Sequence, residues 1–115
     1  MKRFDIFELH AQACRTIAHP TRLKILALLA RREMSVGELA DIVGVPLPNV
    51  SQHLTVLKTG QLVRSRKEGQ TVHYSIADRR TIQACTLIRS VLLDRMKERG
   101  VSAQKVDPRY VVFAA

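Results

Sequence analysis

With 115 residues, 46% of them hydrophobic, the chain is long enough for one domain with a modest core and too short for two. Nineteen Lys and Arg against ten Asp and Glu give a formal charge of +9, the electrostatic footprint of a protein that meets a polyanion, and no apolar run reaches the roughly 18 residues of a membrane span. The lack of Trp leaves no obvious stacking platform for single strands, and the N-terminal MKRFDIFELH carries acids where a signal peptide would be apolar, so a cytoplasmic location and two reduced cysteines are expected.

The first predicted helix runs from Phe4 to about Ala18. Its stripe is Phe4, Phe7, Ala11, Cys14 and Ala18, at steps of three or four. His19-Pro20 breaks it, and Pro20 suits the first position of a second helix, from Thr21 to about Arg32. There Leu23, Leu26, Ala27 and Ala30 make one face, widened by Ile25, Leu28 and Leu29, so this helix is expected at the centre of the core. Arg31 and Arg32 are expected in its last turn, where the helix dipole favours cations.

The segment Ser35 to Lys58 reads as two short helices joined by a tight turn. Ser35 and Glu38 form a capping box, Val36, Leu39, Ala40 and Val43 give an apolar face, and Gly44 ends the helix in the left-handed conformation. Val45 and Pro46 carry the turn, and the next helix starts near Leu47-Pro48. Val50, Leu54 and Leu57 face inward at i, i+4, i+7. Asn49, Ser51, Gln52, His53, Thr55 and Lys58 cover the rest with side chains that bond base edges and phosphates, and no acid is among them. Leu47 is placed to touch a thymine methyl. This is the helix-turn-helix pattern; its bland alternative is an ordinary solvated helix pair.

After Lys58 the period changes to alternation. Leu62 to Arg66 and Thr71 to Ile76 read as strands around a turn at Lys67-Glu68-Gly69-Gln70, so a hairpin follows the recognition helix. Arg64, Arg66, Lys67 and Gln70 make it a wing that can lie along a duplex; a plain solvated hairpin is the alternative. Asp78 caps a last helix to about Arg99, with Ile82, Cys85, Ile88, Leu92 and Met96 as its stripe, and Gly100 ends it. Residues 1–100 thus form the DNA-binding and dimerisation domain and 101–115 a tail in which Tyr110 to Phe113 is apolar enough to pack. The fold class is mainly α with a β-hairpin wing (α+β), in the order ααααββα. The stripes of the first and last helices exceed what so small a chain can bury alone. A homodimer through those two helices is therefore expected, reading a palindromic double-stranded DNA with recognition helices about 34–36 Å apart.

The stretches Ala18-His19-Pro20-Thr21-Arg22-Leu23-Lys24-Ile25-Leu26, Ser35 to Ala40, Val50 to Leu57, Gly60 to Val63 and Gly69 to Tyr74 resemble the ArsR/SmtB winged-helix repressors of bacteria. The resemblance covers roughly Ile17 to Met96. It implies a homodimeric repressor that an inducer, often a metal or metalloid, releases from an operator. The family's metal ligands do not carry over. Its Cys-Val-Cys motif is Ser35-Val36-Gly37 here, and of its last-helix zinc site only Asp78 matches, with Arg80, Val91 and Asp94 at the other places. Its persulfide-sensing cysteines correspond to Ala27 and Leu93. Small polar residues that open the family's recognition helix are replaced by Pro46, Leu47 and Pro48.

Cys14 and Cys85 remain, one on each predicted dimer stripe. Three readings stay open: two small buried apolar residues, a redox or sulfur switch, or a soft metal or metalloid site with His10 as a third donor. For the whole chain, a sequence-specific repressor competes with a winged-helix module that binds a protein partner. No catalytic triad, phosphate loop or paired-carboxylate cluster points to an enzyme.

Overall fold

The computed structural model describes Arg3, residues 5–100 and Asp107. Phe4 and the Tyr110–Phe113 stretch lie outside the described residues. The elements are α1 (Ile6–Ile17), α2 (Pro20–Leu29), β1 (Met34–Ser35), α3 (Val36–Val43), α4 (Leu47–Thr59), β2 (Val63–Glu68), β3 (Thr71–Ile76) and α5 (Arg79–Glu98).

Helix α2 is the axis of the core. Ile25, Leu26, Ala27, Leu28 and Leu29 are all buried, five consecutive positions that point in every direction around the helix. A helix that is apolar all round is one packed on all sides. The same core holds Leu39 and Ala40 from α3, Val50, Leu54 and Leu57 from α4, Met34 and Val63 from the sheet, and Ile82 and Cys85 from α5.

Several local expectations are realised atom by atom. The Ser35 hydroxyl accepts from the Glu38 N–H and the Glu38 carboxylate accepts from the Ser35 N–H, both at 3.2 Å. Gly44 caps α3 at φ 77°, where a side chain would be strained. Others are corrected. Helix α1 starts at Ile6, because the Asp5 carboxylate accepts from the Phe7 N–H at 2.9 Å and fixes the N-cap there. Helix α2 begins at Pro20 with His19 as its cap and ends at Leu29, short of Arg31 and Arg32. The chain turns at that point so that Met34 and Ser35 pair with Tyr74 and His73, which makes a three-stranded sheet in the order β1-β3-β2. Strand β2 continues to Glu68, paired with Thr71, so the turn contracts to Gly69-Gln70 with Gly69 at φ 62°.

The terminal helices hold their apolar faces outward. Helix α1 has no buried residue, and Phe7 is 78% exposed. On α5 only Ile82 and Cys85 of the predicted stripe are buried, while Leu87, Ile88, Val91 and Leu92 are exposed.

Candidate nucleic-acid interface

Helix α4 starts directly after Pro46, with no side-chain cap and a proline in its first turn. Its inner ridge is Val50, Leu54 and Leu57, each fully buried. That ridge fixes the opposite face, where Asn49, Gln52 and Thr55 are exposed, while Leu47 and Lys58 are exposed at the two ends of the helix. Ser51 is half-buried at the edge, and its carbonyl accepts from the Thr55 hydroxyl at 3.0 Å. Exposed Val56 and Thr59 complete the outward face. Both escaped the sequence reading; adding 100° per residue away from the Val50–Leu54–Leu57 ridge would have found them. The face carries no acid, and its one ammonium, Lys58, stands at the C-terminal end.

His53 is turned differently from its neighbours. It is half-buried, its ring centroid lies 4.4 Å from that of His19, and its Nδ1 is 3.3 Å from Nη1 of Arg22. Burial, with help from His19 and Arg22, pushes its pKa below the usual histidine value.

The wing divides its charges. Register places Arg64, Arg66 and Glu68 on one face of β2, opposite Ser75, His73 and Thr71, whereas Lys67 alternates to the other face beside Val72. Arg66 is engaged by acids: Nε donates to both carboxylate oxygens of Glu33 at 2.9 Å, and Nη1 donates to Glu68 at 2.8 Å. Its fork is thus occupied by two carboxylates on a half-exposed side chain. Arg64, Lys67 and Gln70 are exposed, and Arg64 shares a surface cleft with Lys58, at the junction of α4 and the wing.

A second feature lies at the other side of the molecule. Between α1 and α5 runs an apolar groove of about 500 Å³, lined among others by His10, Cys14, Ile17, Cys85, Ile88 and Arg89. Thus the groove brings His10 and Cys14 of the first helix together with Cys85 of the last. Cys14 is exposed; Cys85 is buried, and that burial raises its thiol pKa. Among the described residues no group of three or more His, Cys, Asp or Glu is arranged to hold a metal ion. Asp78 is committed elsewhere: its carboxylate caps α5 and pairs with Arg80 at 2.7 Å, and the Arg80 bonds hold its pKa down to about 2. No helix among the described residues is long and apolar enough to cross a membrane.

Comparison with known proteins agrees with this geometry. A helix-turn-helix domain family matches residues 17–66. Over 62 residues the chain is 52% identical to the HTH-type transcriptional regulator KmtR of Mycobacterium tuberculosis, covering 54% of this chain and 48% of KmtR, so it spans about half of that relative's length. It is 37% identical over 100 residues to the uncharacterized HTH-type transcriptional regulator Rv0081 of the same organism, covering 86% of this chain and 88% of Rv0081. The crystal structure of Rv0081 superposes with a TM-score of 0.75 at 36% identity, over 86% of this chain and all of that one. The homodimeric winged helix-turn-helix DNA-binding domain of Mb0332 from Mycobacterium bovis, a possible ArsR-family regulator, gives a TM-score of 0.74 at 31% identity, over 81% of this chain and 86% of that one. The chain belongs to the ArsR/SmtB-type family of winged helix-turn-helix transcriptional regulators.

Proposed function

We propose that the protein is a homodimeric, sequence-specific repressor. Helix α4 enters the major groove of each half of a palindromic operator. The carrying observation is the outward face of α4: Asn49, Gln52 and Thr55 are exposed there with Val56, Leu47 is exposed in the first turn, and the helix holds no acid in a chain of charge +9. Amide and hydroxyl groups read base edges, Leu47 and Val56 suit thymine methyls, and Lys58, Arg64 and Lys67 supply phosphate contacts. The dimer forms through α1 and α5, whose exposed apolar faces support this, as does the homodimeric Mb0332 domain. The chain is read as a cytoplasmic binding protein and not as an enzyme.

The inducer acts on the α1–α5 groove. Its cysteines support thiol chemistry: Cys14 and Cys85 would together lose two electrons and two protons to an added peroxide, forming one disulfide and two waters. Such a link favours one angle between protomers, and a coupling of about 1–3 kcal/mol suffices to release the operator.

The test is anisotropy with the chain's own upstream DNA against a scrambled duplex, for reduced and peroxide-treated protein and for Cys14→Ser and Cys85→Ser. Selective binding when reduced, lost on treatment and retained by the serine variants, is expected. Absence of any selective site would overturn the repressor and bring a protein-binding module forward. Equal responses in parent and serine variants would remove the thiols and leave the repressor.

A further inference from the structure

Arg22 sits where its own helix disfavours it. It is the third residue of α2, in the first turn, where the helix dipole repels a cation. Its guanidinium is instead directed across two other helices. Nε donates to the Thr16 carbonyl at 2.6 Å and Nη2 reaches the Arg15 carbonyl at 3.5 Å, so the cation caps the C-terminal end of α1, where carbonyls lack intrahelical partners. The third group, Nη1, meets Nδ1 of His53 on α4 at 3.3 Å. A guanidinium has only donors, so His53 accepts through Nδ1 and is neutral, with its proton on Nε2. The His19 ring packs beside it, centroid to centroid at 4.4 Å, and its Nδ1 accepts from the Thr21 N–H at 3.0 Å. A second contact reinforces the first. Gly60, just after α4, lies so near the same turn of α1 that an added Cβ would stand 2.9 Å from the Thr16 methyl.

We propose that Arg22, acting through His53, is the positioning residue of the recognition helix and ties its placement to the last turn of α1. The inference rests on α4 as the operator-reading helix. Arg22 need not touch DNA: it sets the depth and roll at which Asn49, Gln52 and Thr55 are presented. Because α1 also carries half of the proposed dimer face and Cys14, any displacement of its end is passed to α4 through this fork. Lysine cannot replace it, since one ammonium cannot hold carbonyls on α1 and an imidazole on α4 in a fixed planar fork.

The test compares the parent with Arg22→Gln, Arg22→Lys, His53→Ala, His53→Gln and the double variant Arg22→Gln/His53→Ala. The readouts are affinity for operator and for scrambled duplex over a salt series, and amide exchange of residues 47–59 in the free dimer. Expected is a loss of about tenfold in the operator-to-scrambled ratio for Arg22→Gln, Arg22→Lys and His53→Ala, comparable to one mismatched base pair. The double variant loses no more than the worse single one, and His53→Gln, whose amide oxygen can accept from Arg22, recovers most of the ratio. Exchange in 47–59 rises in Arg22→Gln and His53→Ala without DNA present. Equal losses on both duplexes with a salt slope shallower by about 1 would make Arg22 a phosphate contact and overturn the proposal, as would additive losses in the double variant. If the parent itself shows no selective duplex, the operator reading fails; unchanged amide exchange would then sink the positioning role, and raised exchange would uphold it. Should Arg22→Gln not fold, the His53 pair and Arg22→Lys decide the question.

Discussion

Arg66 on the wing and Glu33 before β1 are joined across 33 residues of sequence by two bonds of 2.9 Å from one nitrogen, and Glu68 closes the fork from the other side. The Arg66 bonds hold both carboxyls below their ordinary pKa, and the nearby His73 adds to this. The most obvious basic residue of the wing is thereby neutralised locally. The pair ties β2 to the segment that leads into the helix-turn-helix.

It follows that Glu33→Gln together with Glu68→Gln should release Arg66 to the duplex. Affinity for any DNA rises at low salt and the salt slope steepens by about 1, the effect of one added phosphate contact. Arg66→Ala in the parent changes the slope by much less. Titrations over a salt series check both, and a full unit of slope lost in Arg66→Ala would show that the fork leaves its acids for phosphate.

Gln61 offers a stability test. It is the one non-glycine with positive φ among the described residues, at 62°, directly after Gly60. The Leu62 N–H donates to the Leu57 carbonyl and the Gln61 N–H to that of Lys58, both at 2.9 Å, so the end of α4 is a Schellman turn with Gln61 in the left-handed place. Gln61→Gly should stabilise the protein by about 1 kcal/mol, and Gln61→Val should destabilise it by at least as much. Urea unfolding reads both; a loss on Gln61→Gly would mean the side chain holds something worth more than the strain.

What could be read from the chain was local. The Ser35–Glu38 box, the Gly44 stop and the Val50–Leu54–Leu57 ridge each depend on residues within one or two turns, so spacing alone reveals them. The strand Met34–Ser35 was illegible because two residues carry no period; their pairing is decided by Tyr74 and His73, far along the chain. The early end of α2 has the same origin. Spacing sorts α2 into a face and a flank, although its burial on all sides erases that distinction. Residue type and place make Arg66 and His53 candidate DNA contacts; their intramolecular partners Glu33 and Arg22 come from other elements, and no local pattern announces them. Cys14 and Cys85 lie on separate predicted stripes, and only the fold, which sets α1 and α5 on the two sides of one groove, shows that it holds both.

Ile88 tests the proposed dimer face. It is 64% exposed on α5, beside the groove and in line with Leu92. A two-fold axis would place each substitution twice in the interface, so Ile88→Glu should weaken association by about 2 kcal/mol or more per subunit. Sedimentation should then show monomer at micromolar concentration, with helix content retained because Ile88 contributes nothing to the core. Operator binding falls with it, since two half-sites no longer bind together. A dimer that survives Ile88→Glu and Leu92→Glu would place the interface elsewhere.

Acid should loosen the protein through His53. Its burial in the first place, then the neighbouring His19 and Arg22, depress its pKa in the folded state below the ordinary histidine value of about 6.5. The unfolded chain therefore takes up this proton more readily than the folded one. Its contribution to stability is fully present above about pH 6.5 and declines as pH falls from there through the folded pKa, because ν of the unfolded state exceeds ν of the native state in that window. The protonated ring would also turn an N–H toward Arg22, replacing the 3.3 Å hydrogen bond with a repulsion between two donors. Melting temperatures between about pH 8 and pH 5.5 should fall more steeply for the parent than for His53→Gln, which cannot charge. Parallel curves for the two proteins would locate the acid sensitivity in other groups and leave the His53–Arg22 contact indifferent to protonation.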